Sequence, residues 1–167
     1  MTEPAEELQM EIKGLMLDPS SNVPIVILRD EESDVFLPIW IGVFEANAIA
    51  LRIEGVEPPR PMTHDLLLSS LQTLGAAIER IVISDLREST FFAVIHLVRK
   101  EGEKLTIDSR PSDAIALALR AEAPIFVLRS VLEKARAVDV DSDASEEEKI
   151  RKMLEELGPE DLGKYTM

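Results

Sequence analysis

Residues 24–55 align without a gap onto residues 92–123. Val26, Ile27, Leu37 and Ile39 match Val94, Ile95, Leu105 and Ile107 in two apolar runs. Ala46, Ala48, Ala50, Leu51, Arg52 and Glu54 match Ala114, Ala116, Ala118, Leu119, Arg120 and Glu122 in an Ala-rich run. A repeat constrains a fold strongly, because one supersecondary unit must serve twice and pack against its copy. The unit reads as strand, strand, charged loop, strand, Ala-rich helix. Two such units predict an α+β fold with a duplicated strand-strand-strand-helix unit, a mainly antiparallel or mixed sheet and buried helices.

The local signals fill in this frame. Strands are expected at Glu11–Leu17, Val23–Leu28 and Val35–Ile41, with Pro38 pointing to an edge or a bulge in the last. Ala-rich helices over Glu45–Ile53 and Ser112–Arg120 are apolar around most of their circumference, the mark of burial. Thr63 is the expected N-cap of a helix from His64 to about Leu74. Ala77–Ser84 and Phe91–Val98 read as strands around a loop at Asp85–Ser89. Lys104–Asp108 and Ile125–Leu128 read as strands, and Val131–Ala137 as a short helix. A polar break at Asp139–Ser145 then precedes an amphipathic helix with Ile150, Leu154 and Leu157 on one face. The predicted organisation is one domain over residues 1–137, followed by an acidic linker and helix over 138–167.

Charge and composition exclude several functions. The net charge is -14, with the acidic excess concentrated at the two ends. A broad nucleic-acid surface needs clustered Lys and Arg, so contact with DNA or RNA would depend on a local basic patch or bridging metal ions. There is no cysteine, which excludes thiolate metal sites, disulfides and a cysteine nucleophile. No apolar run approaches the ~20 residues of a membrane span, and the acidic N-terminus lacks the order of a signal peptide. A cytoplasmic protein without membrane contact is the expectation. Glycine-rich phosphate loops, the Gly-x-Ser-x-Gly elbow and the His-Glu-x-x-His helix are all missing from the sequence.

What remains is a set of carboxylates near element ends. Asp108, Ser109, Arg110, Ser112 and Asp113 lie between a strand end and a helix start. Oxygen ligands there suit Mg²⁺ or Mn²⁺, and Arg110 beside a helix N-terminus suits a phosphate. The plainer reading is helix capping. Glu45 holds the same place in the first unit, where the helix dipole alone would favour it. A third cluster, Arg60 to Asp65, contains His64, a residue type that exchanges protons near neutral pH. Its plainer reading is again a helix start. Mid-strand His96 reads as structural, and Trp40 and Phe44 beside Glu45 read as core rather than as stacking surfaces.

Three blocks carry a resemblance. They are Leu37-Pro38-Ile39-Trp40-Ile41-Gly42 with Phe44-Glu45-Ala46 and Ile49-Ala50; Arg60-Pro61-Met62-Thr63-His64-Asp65-Leu66; and Asp108-Ser109-Arg110-Pro111-Ser112-Asp113 running on to Ala118. In this order and spacing they resemble the bifunctional nuclease domain family over roughly residues 10–137. The resemblance implies an α+β protein of the kind found in bacteria and plants, with nuclease activity on DNA and RNA. The chemistry that suits this inventory is metal-assisted phosphodiester hydrolysis. Glu45, Asp108 and Asp113, with Asp65 as a further candidate, would hold Mg²⁺ or Mn²⁺. His64 would move a proton, and Arg110 would offset phosphate charge. Arg60, Ser109 and Ser112 would contact the substrate. The rival reading is a non-enzymatic interaction or regulatory module, a homo-oligomer formed through apolar sheet edges.

Overall fold

The computed structural model describes residues 5–141 and Lys152. Seven strands, β1 (Glu7–Leu17), β2 (Pro24–Arg29), β3 (Phe36–Trp40), β4 (Ala76–Arg87), β5 (Thr90–Arg99), β6 (Lys104–Ser109) and β7 (Ile125–Leu128), form one sheet. Its order is β3-β2-β1-β7-β4-β5-β6. Every pairing is antiparallel except β4 with β7. The helices are α1 (Val43–Ile53), α2 (Thr63–Thr73), α3 (Pro111–Ala121) and α4 (Arg129–Asp141). The α+β expectation holds. The fold is two β-β-β-α units set outward from β7, with each unit's last strand on one edge of the sheet. Pro38 lies on the β3 edge, where a missing N–H costs no ladder bond.

The two units are not superposable at a single spacing. The helices α1 and α3 and the strands β3 and β6 correspond as the alignment predicts. In the hairpins, however, Leu37 pairs with Leu28, whereas its counterpart Leu105 pairs with Leu97 rather than His96. Val26 and Leu28 therefore correspond to the core residues Ile95 and Leu97, one position further along than the gapless alignment implies. The difference is a one-residue slip between the first strand and the rest of the unit. Such a slip moves every side chain to the opposite face, so the core pattern and not sequence identity sets the correspondence.

Other boundaries differ for local reasons. The expected Asp85–Ser89 loop is mostly strand. The β4–β5 hairpin turns on only Glu88 and Ser89, at φ 48° and 60°. Both central residues left-handed is the turn whose twist matches paired strands, and it usually takes Asn-Gly. The N-cap of α2 is Met62, with Thr63 already helical. Helix α4 continues to Asp141, past the break expected at Asp139. The amphipathic segment expected at 146–157 lies outside the described residues, apart from Lys152. No described helix is long and apolar enough to cross a membrane.

The main core lies between the sheet and α1 and α3, with Val26, Leu28, Ile81, Ile83, Ile95, Ala46, Ile49, Ile115 and Leu117 at its centre. Alanines on both helices let them approach closely. Helix α2 is different, because none of its side chains is fully buried. It is tied instead by Arg120, whose side chain is only 5% exposed. Nε donates to Asp65 Oδ1 at 2.7 Å, one terminal nitrogen to the Ala116 carbonyl at 2.9 Å, and the other to the Ala48 carbonyl at 3.1 Å. One guanidinium thus joins α1, α2 and α3.

Removing a partner from a buried ion pair is costly because the remaining charge is left uncompensated. Arg120→Met should lower the unfolding free energy by about 3 kcal/mol in urea melts. Adding Asp65→Leu should recover part of that loss, and a double variant less stable than Arg120→Met would refute this account. At the β4–β5 turn, Glu88→Asn with Ser89→Gly should raise stability by roughly 0.5–1 kcal/mol, read as a higher urea midpoint.

Candidate functional site

Helices α1, α2 and α3 each carry an acid at the third helical position: Glu45, Asp65 and Asp113. Each sits where the helix dipole favours a negative charge. Packing then brings two of them together. Arg110 Nε donates to Asp113 Oδ2 at 2.8 Å, and one terminal nitrogen donates to Glu45 Oε1 at 2.9 Å. On the other side, His64 Nε2 lies 2.8 Å from Asp113 Oδ1. The result is a continuous chain, His64–Asp113–Arg110–Glu45, built from the first turns of three helices. Asp113, and then Glu45, hold the Arg110 guanidinium above its ordinary pKa by hydrogen bonding to its charged form. The His64 side chain is 12% exposed and that of Arg110 is 65% exposed, so the chain runs from the interior to the surface.

Gly42 is part of this arrangement. A Cβ at this position would lie 2.2 Å from Glu45 Oε2. Its φ of -73° suits any residue, so the requirement is for space and not for backbone freedom. Glycine lets the Glu45 carboxylate fold back over the N-terminus of its own helix and reach Arg110.

Asp65 belongs to the neighbouring Arg120 hub. Burial raises its carboxyl, but the Met62 N–H at 2.9 Å and the Arg120 guanidinium outweigh that, leaving its pKa below the ordinary value. Asp108 stands apart, its exposed side chain on β6 without a hydrogen bond or ion pair to any described residue. Arg60 is likewise exposed and unpaired among the described residues. Ser109 donates to the Arg110 carbonyl at 2.8 Å. His96 is half-buried in β5, where burial and then Arg80 lower its pKa. Among the described residues, no three His, Asp or Glu side chains converge as a metal site requires. The facing oxygens of Glu45 and Asp113 are taken by Arg110, so this donor set, as arranged, holds a guanidinium rather than Mg²⁺ or Mn²⁺.

Beside the chain of charges lies a cavity of about 350 Å³ between the end of β3, the β4–β5 turn and the start of α3. Its wall includes Trp40, Phe91, Arg110 and Ser112. Here the sequence expectation fails. Trp40 is 45% exposed and Phe44 is 87% exposed, so neither is a core residue. Trp40 ends an edge strand whose alternate positions Leu37 and Ile39 take the core face. Its indole N–H donates to Asp18 Oδ2 at 2.9 Å. That bond, with those from the Ser20 N–H and hydroxyl, holds the Asp18 carboxyl well below the usual carboxylate range. Sequence reasoning also missed Arg120. The available signal was a lone arginine closing an apolar Ala-rich helix and matched by Arg52 in the other unit.

Comparison with known proteins adds three findings. A family model for the bifunctional nuclease domain matches residues 26–139. An uncharacterized protein of Mycobacterium tuberculosis is 38% identical over 163 residues, covering 92% of this chain and 97% of its own. Bifunctional nuclease 1 of Oryza sativa subsp. indica is 25% identical over 116 residues, and bifunctional nuclease 2 of subsp. japonica is 28% identical over 122. The match covers 68% and 71% of this chain, but only 35% and 38% of the rice proteins.

Two outcomes follow from the geometry. Gly42→Ala should fold, with stability changed by less than about 1 kcal/mol, because the atom in its way ends a flexible side chain. The Glu45 carboxylate should leave Arg110, which a crystal structure of the variant would show. The Asp65 pKa is lower folded than unfolded, so its bonds add stability above roughly pH 4, the ordinary aspartate value, and lose it as pH falls through the folded pKa. Asp65→Asn should flatten the acid limb of a plot of melting temperature against pH.

Proposed function

The chain belongs to the bifunctional nuclease domain family, and on that premise we propose that it hydrolyses phosphodiester bonds of DNA or RNA, with His64 and Asp113 as its proton-transfer pair. The observation that supports this reading most is the His64–Asp113–Arg110–Glu45 chain, since residues from three separate sequence blocks meet in one partly exposed cluster. Asp113 accepting from His64 Nε2–H leaves Nδ1 as the proton acceptor. Nδ1 takes a proton from water as the water oxygen bonds to phosphorus. The same proton then passes to the leaving oxygen as its P–O bond breaks. Asp113 fixes the ring orientation and stabilises the imidazolium formed on the way. Arg110 keeps one terminal nitrogen outside its bonds to Asp113 and Glu45, and that nitrogen is available to a phosphoryl oxygen.

Positioned acid–base groups contribute roughly 100- to 10,000-fold to a rate. His64→Ala and Asp113→Asn should therefore each lower cleavage of DNA and RNA oligonucleotides by about that factor, with the fold intact by circular dichroism. Asp108→Asn should leave the rate unchanged, since Asp108 stands away from the cluster. Cleavage that survives EDTA supports the side-chain chemistry. A strict requirement for Mg²⁺ or Mn²⁺ would mean that an ion displaces Arg110 from the two carboxylates, and would replace this mechanism.

The second reading, a non-enzymatic module that pairs with its own copy, draws on exposed apolar residues. Leu66 on α2 and Leu74 just after its end are 59% and 75% exposed, and Leu105 and Ile107 on the edge strand β6 are also exposed. It predicts a dimer or larger species by light scattering and no cleavage by the purified protein.

A further inference from the structure

We infer that the cavity beside Arg110 is a subsite for one unpaired nucleotide, its base laid on Trp40 and its phosphate set against the first turn of α3. This rests on the nuclease reading for its substrate class and adds to it a preference for single strands.

Three observations meet at this cavity. First, Trp40 is an aromatic face already fixed in place. Its indole N–H is bound to Asp18, itself held by Ser20, while 45% of the residue remains exposed. A solvent-exposed indole anchored by its polar edge can receive a flat ring without losing further side-chain freedom. Second, the start of α3 has no side-chain cap, and Pro111 supplies no N–H. The Ser112 and Asp113 amides thus have no partner within the helix, which favours an anion. Third, Ser112 is only 5% exposed, lines the cavity, and its hydroxyl has no hydrogen-bond partner among the described residues. A hydroxyl left unpaired on so buried a residue, yet open to the cavity, is a donor for something that enters.

The pattern selects among ligands. An apolar wall with one anchored aromatic suits a base, and a donor cluster at one end suits a phosphate. The volume of about 350 Å³ is that of a small-ligand site. A base within a duplex has both faces stacked and cannot offer one to Trp40. A net charge of -14 provides no long-range attraction, so binding depends on these short-range contacts.

The chain has a single tryptophan, which makes the test direct. The full chain carrying His64→Ala, to prevent turnover, is titrated with six-nucleotide single strands of DNA and of RNA and with a DNA duplex while Trp40 fluorescence is followed. Both single strands should quench it saturably, at least tenfold tighter than the duplex. By anisotropy of a labelled strand, Trp40→Leu should weaken binding tenfold or more, the usual consequence of losing a stacked base. Trp40→Phe should retain most of it, and Ser112→Ala should weaken it several-fold. Absence of quenching, equal affinity for the duplex, or unaltered binding by Trp40→Leu would overturn the inference. Binding by wild-type protein that cleaves nothing would instead overturn the nuclease reading and leave the subsite standing. Cleavage without quenching would do the reverse.

Discussion

The arrangement depends on one buried guanidinium. Arg120 spans three helices, and each of its donor bonds has a different owner: the carboxylate of α2, a carbonyl of α1 and a carbonyl of its own helix. A buried charge with any of these missing would be expensive, so the three helices are constrained together. The partners also fix how α2 lies. His64 and Asp65 are adjacent in its first turn, yet one meets the start of α3 and the other meets its end. Helix α2 therefore begins across the middle of α3, and the His64–Asp113 contact follows from that crossing.

Much of this was legible in the sequence. The spaced alanines of Ala46–Ala50 and Ala114–Ala118 announced two closely packed helices, and the alignment of 24–55 with 92–123 placed α1 against α3 and β3 against β6, though not the hairpins. Glu45, His64, Arg110 and Asp113 were identified from residue type and position alone, and they do meet. Other features required the third dimension. Two of the strand identities, Val26 with Val94 and Ile27 with Ile95, are accidents of β-branched composition, because the core pattern runs one residue out of step. Trp40 and Phe44 look like core in any hydropathy reading. They are exposed because β3 is an edge strand and α1 begins at the rim. Asp108 and Asp113 share a short motif, but a strand end and a helix first turn point their side chains differently.

The charge distribution fits this picture. Glu45, Asp65 and Asp113 all occupy helix starts, so part of the acidity is structural and is already compensated by dipoles, Arg110 and Arg120. The surface does not need to be basic for a phosphate to approach one point. A local cluster of one partly exposed guanidinium and free amides offers selectivity by position, whereas a uniformly basic face offers affinity without it.

Helix α2 has no fully buried side chain, and two polar links at its first turn hold it beside half-buried Leu68 and Leu71. The sheet, by contrast, is anchored by residues with almost no exposure. Regions with few buried apolar contacts open at a lower free energy than the whole molecule. The element that carries His64 is therefore a latch on an otherwise rigid frame. The Asp113–Arg110 pair lies wholly outside α2 and does not depend on it, whereas the His64 contact does. Opening α2 alone would part His64 from Asp113 while the sheet stays folded, and it would also strip buried Arg120 of its carboxylate, so the same guanidinium sets how rarely that opening occurs.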